Sequence, residues 1–241
     1  MRTAKTSAMA TVAALIIGNE ILSGKFDDEN GPFLIRRLRE LGVDLKRLVV
    51  LPDEAPAIIE EVRSCTDRYT YVITTGGVGP THDDVTLPAI AEAFGRGLER
   101  HAELGRRLAE KLGTRFNEAA WRMAELPAGA ALWWEESMYW PVVVVENVLI
   151  FPGVPMLMSR SFDAVSSRIA GSPLSARRFT TLKSEPEVAD ALTEASQRWS
   201  TVLIGSYPRY EAKPHTVIIT MESRDLDALN ECEAWLAPRC G

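Results

Sequence analysis

The chain has 241 residues, of which 46% are hydrophobic and 25% are charged, and its formal net charge is -6. This composition is typical of a globular protein with a substantial core, either one large domain or a large and a small one. The negative charge argues against nucleic-acid binding, because that function depends on clustered Lys and Arg that neutralise phosphates.

The cysteines and the apolar runs indicate a cytoplasmic protein that does not enter a membrane. Cys65, Cys232 and Cys240 are an odd number without CxxC spacing, so neither a zinc site nor a complete disulfide framework is expected. The longest early apolar run, residues 8–17, is shorter than the roughly 20 residues that a membrane-spanning helix needs.

Strand and helix patterns alternate over the first part of the chain. Apolar runs at residues 10–17, 45–51 and 69–74 predict strands, and apolar stripes at helical spacing predict helices at 31–41 and 55–67. This alternation favours βαβ crossovers, a mostly parallel sheet and helices on both of its faces. The predicted fold is therefore a three-layer α/β/α domain.

The middle of the chain continues the same rhythm. Residues 83–124 predict a series of helices, and residues 131–134 and 142–151 predict two strands. A further helix is expected at 156–170, directly after the sequence "FPGVP".

A linker-like stretch, "GSPLS", begins at Gly171 and separates a second set of elements. That set predicts a small α+β domain with the order βαββα. Its elements are strands at residues 178–182, 202–206 and 217–221 and helices at 185–199 and 226–236. The predicted parts of the chain are a flexible tail (1–9), an α/β domain (10–172) and a C-terminal domain (173–241).

The sequence "TTGGVGPTHDDVTLP" directly follows the third predicted strand. Gly76, Gly77 and Gly79 can turn several backbone N–H groups toward one phosphate, because glycine tolerates positive φ and has no side chain. A helix expected to begin near Asp83 would add its positive end. The alternative is a tight turn in which Asp83 or Asp84 only caps that helix.

Two adjacent aspartates beside such a loop suggest a cation as well as an anion. Asp83 and Asp84 are candidate ligands of a Mg²⁺-type ion that contacts phosphate oxygens, and they are also candidate catalytic residues. The hydroxyls of Thr75, Thr81 and Thr86 are candidate phosphate contacts. Local backbone hydrogen bonding is the more common role of such threonines.

A second group of polar residues follows the first predicted strand. Gly18, Asn19 and Glu20 come directly after that strand, and Asp28 and Asn30 precede the next helix. Ligands of parallel sheets collect at the carboxyl ends of strands, so this group should lie near the glycine loop. Glu20 and Asp28 are candidate catalytic acids that orient water, and turn or N-cap chemistry is the alternative.

Four motifs occur in an order that resembles a known family. They are "GNEIL", the acid-rich stretch that ends in Asn30, "TTGGVGPTHDDVT" and "FPGVP". Together they resemble the molybdopterin-binding (MoaB/MogA-like) domain in its CinA-like form, over about residues 10–170. The later part, with "VLIGSYPRY", is similar to the segment that follows this domain in CinA-like proteins and in the N-terminal half of eukaryotic FAD synthases.

The resemblance implies a ligand, a reaction and an assembly. The ligand would be a nucleotide-like or pterin phosphate, and the protein a homo-oligomer, a dimer or a trimer. The reaction would be hydrolysis of ADP-ribose-type or FAD-type pyrophosphates with Mg²⁺, Mn²⁺ or Co²⁺. Molybdopterin binding or adenylation, and a noncatalytic binding module, are the alternatives.

The resemblance also assigns residues to two loops of one site. The phosphate loop would contain Gly76, Gly77, Gly79, Asp83, Asp84 and Thr86, and a second loop would contain Gly153 and Pro155.

An aromatic cluster lies where the chain departs from the CinA-like pattern. Its members are Trp133, Trp134, Tyr139 and Trp140. Such rings could stack on a ligand ring, but core packing or an oligomer interface is their more common role.

Overall fold

The computed structural model describes residues 10–135, 138, 140–209, 211 and 216–241. The predicted tail at residues 1–9 lies outside this described part. The chain divides into two compact units, Met1–Gly171 and Ser172–Gly241.

Within its described residues, the first unit contains eight strands. They are β1 (Thr11–Ile17), β2 (Asp44–Leu51), β3 (Tyr71–Thr75), β4 (Leu98–Arg100), β5 (Glu125–Pro127), β6 (Ala131–Trp133), β7 (Val142–Val145) and β8 (Val148–Phe151). The main sheet has the order β2-β1-β3-β8-β7-β6, and β4 and β5 form a separate pair.

The main sheet is parallel over most of its width. β1 pairs in parallel with β2 and β3, and β3 pairs in parallel with β8. β6 and β7 add an antiparallel edge. The carboxyl ends of β1, β2, β3 and β8 therefore meet at one edge, where ligands of parallel sheets commonly bind.

In the same described part of the unit, seven α-helices accompany these strands. They are α1 (Asn19–Leu22), α2 (Asn30–Glu40), α3 (Ala55–Thr66), α4 (Thr86–Ala93), α5 (Ala102–Leu112), α6 (Glu118–Arg122) and α7 (Pro155–Val165). Short 3₁₀ turns follow α5 and α7, at Gly113–Arg115 and Ser166–Arg168.

Buried side chains cover both faces of the main sheet. Along β1, Leu15 and Ile17 belong to one apolar cluster, whereas Ala14 and Ile16 belong to another. The first cluster includes side chains from α3, α4 and α5, and the second includes side chains from α2 and α7. The predicted three-layer α/β/α fold with a mostly parallel sheet is confirmed.

One predicted strand was wrong, because residues 142–151 form the hairpin of β7 and β8. The turn holds Glu146 at a φ of 52°. The side-chain amide of Asn147 then donates to the carbonyl oxygens of Thr66 and Tyr69, at 2.9 and 3.0 Å. Both strands are largely buried and apolar, and only the two polar residues Glu146 and Asn147 mark the turn between them in the sequence.

The all-helical prediction for residues 83–124 was also wrong. Helix α4 begins at Thr86, so Asp83 and Asp84 lie in the preceding loop. The backbone N–H of Thr86 donates to the carbonyl oxygen of Gly77 at 3.0 Å, which ties the first helical turn to the glycine loop. Strand β4 also lies within this stretch, and its partner β5 directly follows it.

The second unit has the predicted order βαββα. Its elements are β9 (Ser175–Thr181), α8 (Glu185–Arg198), β10 (Leu203–Arg209), β11 (Thr216–Ser223) and α9 (Leu226–Cys240). The strands form an antiparallel sheet in the order β10-β11-β9. A capping box of Ser184 and Glu187 begins α8. Over the ranges described, neither unit has a helix long and apolar enough to cross a membrane.

The buried thiol of Cys65 on α3 makes stability depend on pH. Burial, together with the neighbouring Glu61 carboxylate, raises the pKa of Cys65 from 9.0 to about 11. The raised pKa stabilises the fold below about pH 9, and this contribution is lost as the pH rises through 11.

We therefore expect the free energy of unfolding to fall more steeply between about pH 9 and 11 in the wild type than in Cys65→Ala. The expected difference is about 1–2 kcal/mol, from 1.4 kcal/mol for each unit of pKa. Urea unfolding across this range measures it. Equal pH dependence in the two proteins would contradict the assignment.

Candidate functional site

A cavity of about 490 Å³ lies at the carboxyl edge of the main sheet. Its volume is within the range of small-molecule sites. It brings together predicted residues from separate segments, namely Glu20, Asp28, Asn30, Thr75, Gly153 and Pro155. Two further acids, Asp27 and Glu29, also line it. The rest of the lining is apolar: Ile16, Ile17, Ile21, Phe26 and Val154.

The segment after β1 is fixed by backbone contacts. The N–H of Gly18 donates to the carbonyl oxygen of Leu51 at 3.0 Å, and the N–H of Asn19 donates to Asp53 Oδ2 at 2.7 Å. The Glu20 carboxylate folds back over Gly18, within 2.5 Å of where a Cβ would stand. Gly18 and Asn19 therefore position Glu20, and neither lines the cavity.

The role of Asp53 was missed in the sequence, although a signal existed. Asp53 follows the carboxyl end of β2, the same position in the fold that marks the residues after β1 and β3. Its contact with Asn19 makes it a positioning residue for the segment that carries Glu20.

The start of α2 is tied to two loops by a buried amide. Asn30 Nδ2 donates to the carbonyl oxygen of Gly153 at 2.8 Å and to Thr75 Oγ1 at 3.4 Å. The Asp28 carboxylate accepts the N–H of Gly31 at 3.0 and 3.2 Å, which is capping-type chemistry. Asn30 thus joins the segments after β3 and β8, while Asp28 orders the helix start.

Thr75 lines the cavity, but the predicted loop residues after it do not: Gly76, Gly77, Gly79, Thr81, Asp83, Asp84 and Thr86. Gly76 has a φ of 99° and Gly77 a φ of 62°, conformations that favour glycine. A Cβ built on Gly153 would lie 3.0 Å from Gly76 Cα, so the two loops touch through their backbones. Thr86 Oγ1 is buried and donates to the carbonyl oxygen of Gly76 at 2.9 Å.

Asp84 holds the remainder of this loop. Its Oδ1 accepts the N–H of Gly79 at 2.6 Å, and its Oδ2 accepts the N–H and the hydroxyl of Thr81 at 2.8 and 2.6 Å. The predicted anion donors Gly79 and Thr81 are therefore already bound to a carboxylate of the chain itself. The Asp83 side chain beside them is 62% exposed.

Asp83 and Asp84 are less suited to hold a metal ion than the carboxylates that line the cavity. Within the described ranges, no three His, Cys, Asp or Glu side chains form a group that could hold a metal ion. Asp84 is a poor ligand in this geometry, because its oxygens already accept three hydrogen bonds. The metal assignment to Asp83 and Asp84 stays a prediction.

The carboxylates that line the cavity suit a different arrangement. Mg²⁺ is usually bound by one or two carboxylates together with phosphate oxygens of the ligand. Glu20 and Asp28 supply such carboxylates in one cavity. Their chemistry fits a cation that is bound together with a phosphate ligand.

The tryptophans of the aromatic cluster differ in burial and in packing partners. Trp140 is buried, while Trp133 and Trp134 are partly buried and pack against opposite core clusters. The guanidinium of Arg168 lies 5.1 Å from the Trp133 ring, and that of Arg107 lies 4.3 Å from the Trp134 ring. Tyr139 lies outside the described residues, and none of the three tryptophans lines the cavity.

The fold and the cavity define an α/β protein of the class that binds a small ligand at the carboxyl edge of a parallel sheet. Residues 13–171 match the family described as "Probable molybdopterin binding domain", and residues 173–240 match "FAD synthase, middle domain". The chain belongs to the MoaB/MogA-like molybdopterin-binding domain family, with CinA-like relatives.

Curated relatives match almost the whole chain. A protein of Archaeoglobus fulgidus is 32% identical and covers 89% of this chain and 91% of its own length. "Probable FAD synthase" of Caenorhabditis elegans is 32% identical over 95% of this chain, which spans 49% of that relative. A "CinA-like protein" of Gemmatimonas aurantiaca is 30% identical over 95% of this chain and 58% of its own length.

A solved structure shares the fold of the first part of the chain. CinA from Thermoplasma acidophilum is 26% identical, with a TM-score of 0.62, over 67% of this chain and 98% of its own.

Proposed function

We propose that the unit Met1–Gly171 binds a nucleotide-like phosphate ligand together with a divalent cation in the cavity, and hydrolyses its pyrophosphate bond. The substrates would be of the ADP-ribose or FAD type. The observation that carries this proposal is the convergence of Glu20, Asp28, Asn30 and Thr75 on one cavity at the carboxyl edge of the sheet.

The charge of the cavity supports a role for the cation. Its described lining contains Glu20, Asp27, Asp28 and Glu29 but neither Lys, Arg nor His. A phosphate beside these carboxylates would be repelled unless a cation lay between them. Mg²⁺, Mn²⁺ or Co²⁺ would neutralise the phosphate and acidify bound water, and Glu20 and Asp28 would hold it.

Residues of the chain would orient the ligand and the water. Asn30 and Thr75 are buried and mutually bonded, so they present fixed polar groups at the edge of the cavity. The Glu20 carboxylate is exposed and can accept a proton or a hydrogen bond from water.

A second candidate function uses the same cavity. The family that matches residues 13–171 is described by molybdopterin binding, which favours a pterin phosphate as ligand and binding or adenylation as the activity. A noncatalytic binding module is the third candidate. Homo-oligomerisation and a cytoplasmic location also stay predictions.

A turnover assay separates these candidates. Purified protein is incubated with ADP-ribose or FAD and with Mg²⁺, Mn²⁺ or Co²⁺, and the released mononucleotides are measured. We expect metal-dependent turnover that falls about 100-fold or more in Asp28→Asn, because one of the two carboxylates that would hold the cation is lost. The substitution keeps the size of the side chain and an oxygen that can accept from Gly31.

The matched control is Asp190→Asn, because Asp190 is an exposed aspartate on α8 in the other unit. It should turn over substrate like the wild type. Binding of ADP-ribose, FAD or a pterin phosphate without any turnover would overturn the hydrolase proposal and favour one of the two alternatives.

A further inference from the structure

Several exposed apolar side chains lie on the two segments that carry Phe26 and Val154 at the cavity. Phe26 is 60% exposed and Val154 is 54% exposed, and both line the cavity. Leu22 and Met156, on the same two segments, are also exposed. Apolar surface that surrounds a cavity with polar groups is typical of a ligand groove.

The Phe26 ring is carried by a fixed turn. The N–H groups of Lys25 and Phe26 both donate to the carbonyl oxygen of Glu20, at 3.0 and 3.2 Å. Gly24 allows this turn with a φ of 68°. The backbone that carries the ring is therefore ordered before any ligand arrives, so its conformational entropy would not be lost on binding.

The wall formed by Val154 is also fixed. Its carbonyl oxygen accepts the N–H groups of Leu157 and Met158, both at 2.9 Å. Pro155 begins α7 directly after it. Two ordered apolar walls from separate segments thus line one cavity.

The polar groups among these walls restrict the chemistry of the occupant. The Glu20 and Asp28 carboxylates accept hydrogen bonds, and the Thr75 hydroxyl can both donate and accept. Such groups favour a ring that carries N–H donors. A lipid acyl chain is disfavoured beside these groups, because it would leave them without hydrogen-bond partners.

We propose that Phe26 stacks on the nitrogen-containing aromatic ring of the ligand, with Val154 and Pro155 forming further apolar contacts. This inference rests on the proposed function, because it assigns the ring half of the same phosphate ligand. Phe26 would determine specificity for ringed over ring-free pyrophosphates. Stacking of a base on an aromatic side chain contributes enough to be measured by alanine substitution.

Calorimetric binding to the full chain in Mg²⁺ tests this. The ringed probes are the methylene analogues of ADP-ribose and FAD, which have no pyrophosphate bond to hydrolyse, and inorganic pyrophosphate is the ring-free probe. We expect Phe26→Ala to weaken the binding of a ringed probe about tenfold, equivalent to about 1.4 kcal/mol. Binding of pyrophosphate should not change. Phe26→Trp should keep the affinity for the ringed probe, because it retains an aromatic face.

The matched control is Leu203→Ala, which removes an exposed apolar side chain from β10 of the other unit. It should bind all probes like the wild type. If the wild type binds a ringed probe and Phe26→Ala binds it equally well, the stacking role is overturned and the proposed function stands. If the wild type binds none of the probes, both are overturned.

Discussion

Gly76→Ala is expected to lower the free energy of unfolding by about 3 kcal/mol and to abolish ligand binding in the cavity. An alanine Cβ at this position would stand 2.1 Å from the carbonyl oxygen of Ile17, at a φ of 99°. The backbone would have to move away from β1, and the loop would lose its close approach to Gly153. Chemical denaturation and calorimetric binding of ADP-ribose measure the two effects.

Gly95→Ala is the matched control for this substitution. Gly95 has a φ of 65°, but nothing lies within 4 Å of the position of an added Cβ. Only the cost of the left-handed conformation should appear, about 1 kcal/mol. Equal destabilisation by the two substitutions would show that backbone conformation, and not contact with Ile17, makes glycine necessary at position 76.

Asp84→Asn is expected to destabilise the protein by about 2 kcal/mol and to weaken ligand binding. The carboxylate accepts three hydrogen bonds within the loop, and the NH₂ group of asparagine cannot accept. One end of the loop would then lose its anchor. Urea unfolding measures the stability, and calorimetry with the nonhydrolysable methylene analogue of ADP-ribose and Mg²⁺ measures the binding.

The neighbouring substitution Asp83→Asn is its control, because the Asp83 side chain is largely exposed. It should change the free energy of unfolding by less than about 0.5 kcal/mol. If both substitutions instead leave stability unchanged and remove only the metal-dependent part of binding, the two aspartates are metal ligands and the loop-ordering role of Asp84 is wrong.

The fold could be predicted where apolar patterns were unambiguous. The runs that became β1, β2 and β3 are bounded by turn residues, so their alternation with helices fixed the α/β class. The β7–β8 hairpin could not be predicted in the same way. Its turn depends on a positive φ at Glu146 and on bonds from Asn147 to carbonyl groups about 80 residues earlier in the chain.

The polar residues of the cavity could be predicted from one rule of sheet topology. Glu20 and Asp28 follow β1, Thr75 ends β3 and Gly153 follows β8. Parallel strands bring such positions to one edge of the sheet. The same rule applied to β2 would have found Asp53, whose contact with Asn19 helps to position Glu20.

The role of Asp84 could not be predicted from the sequence pattern. Two adjacent aspartates after a glycine-rich turn are equally compatible with a helix cap, a metal ligand or a loop anchor. Its hydrogen bonds to Gly79 and Thr81 depend on the path of the intervening backbone, and spacing alone does not define that path.

The central claim is that the acidic cavity binds a phosphate ligand through a divalent cation. Its most direct test compares the affinity for the nonhydrolysable methylene analogue of ADP-ribose in Mg²⁺ and in EDTA. The wild type is compared with a Glu20→Gln, Asp28→Asn double variant. We expect Mg²⁺ to tighten wild-type binding at least about tenfold, equivalent to about 1.4 kcal/mol. The double variant should bind more weakly than the wild type in Mg²⁺ but more tightly in EDTA, because the repulsion between carboxylates and phosphate is gone. Equal wild-type affinity with and without Mg²⁺, or a double variant that behaves like the wild type in both conditions, would contradict the account.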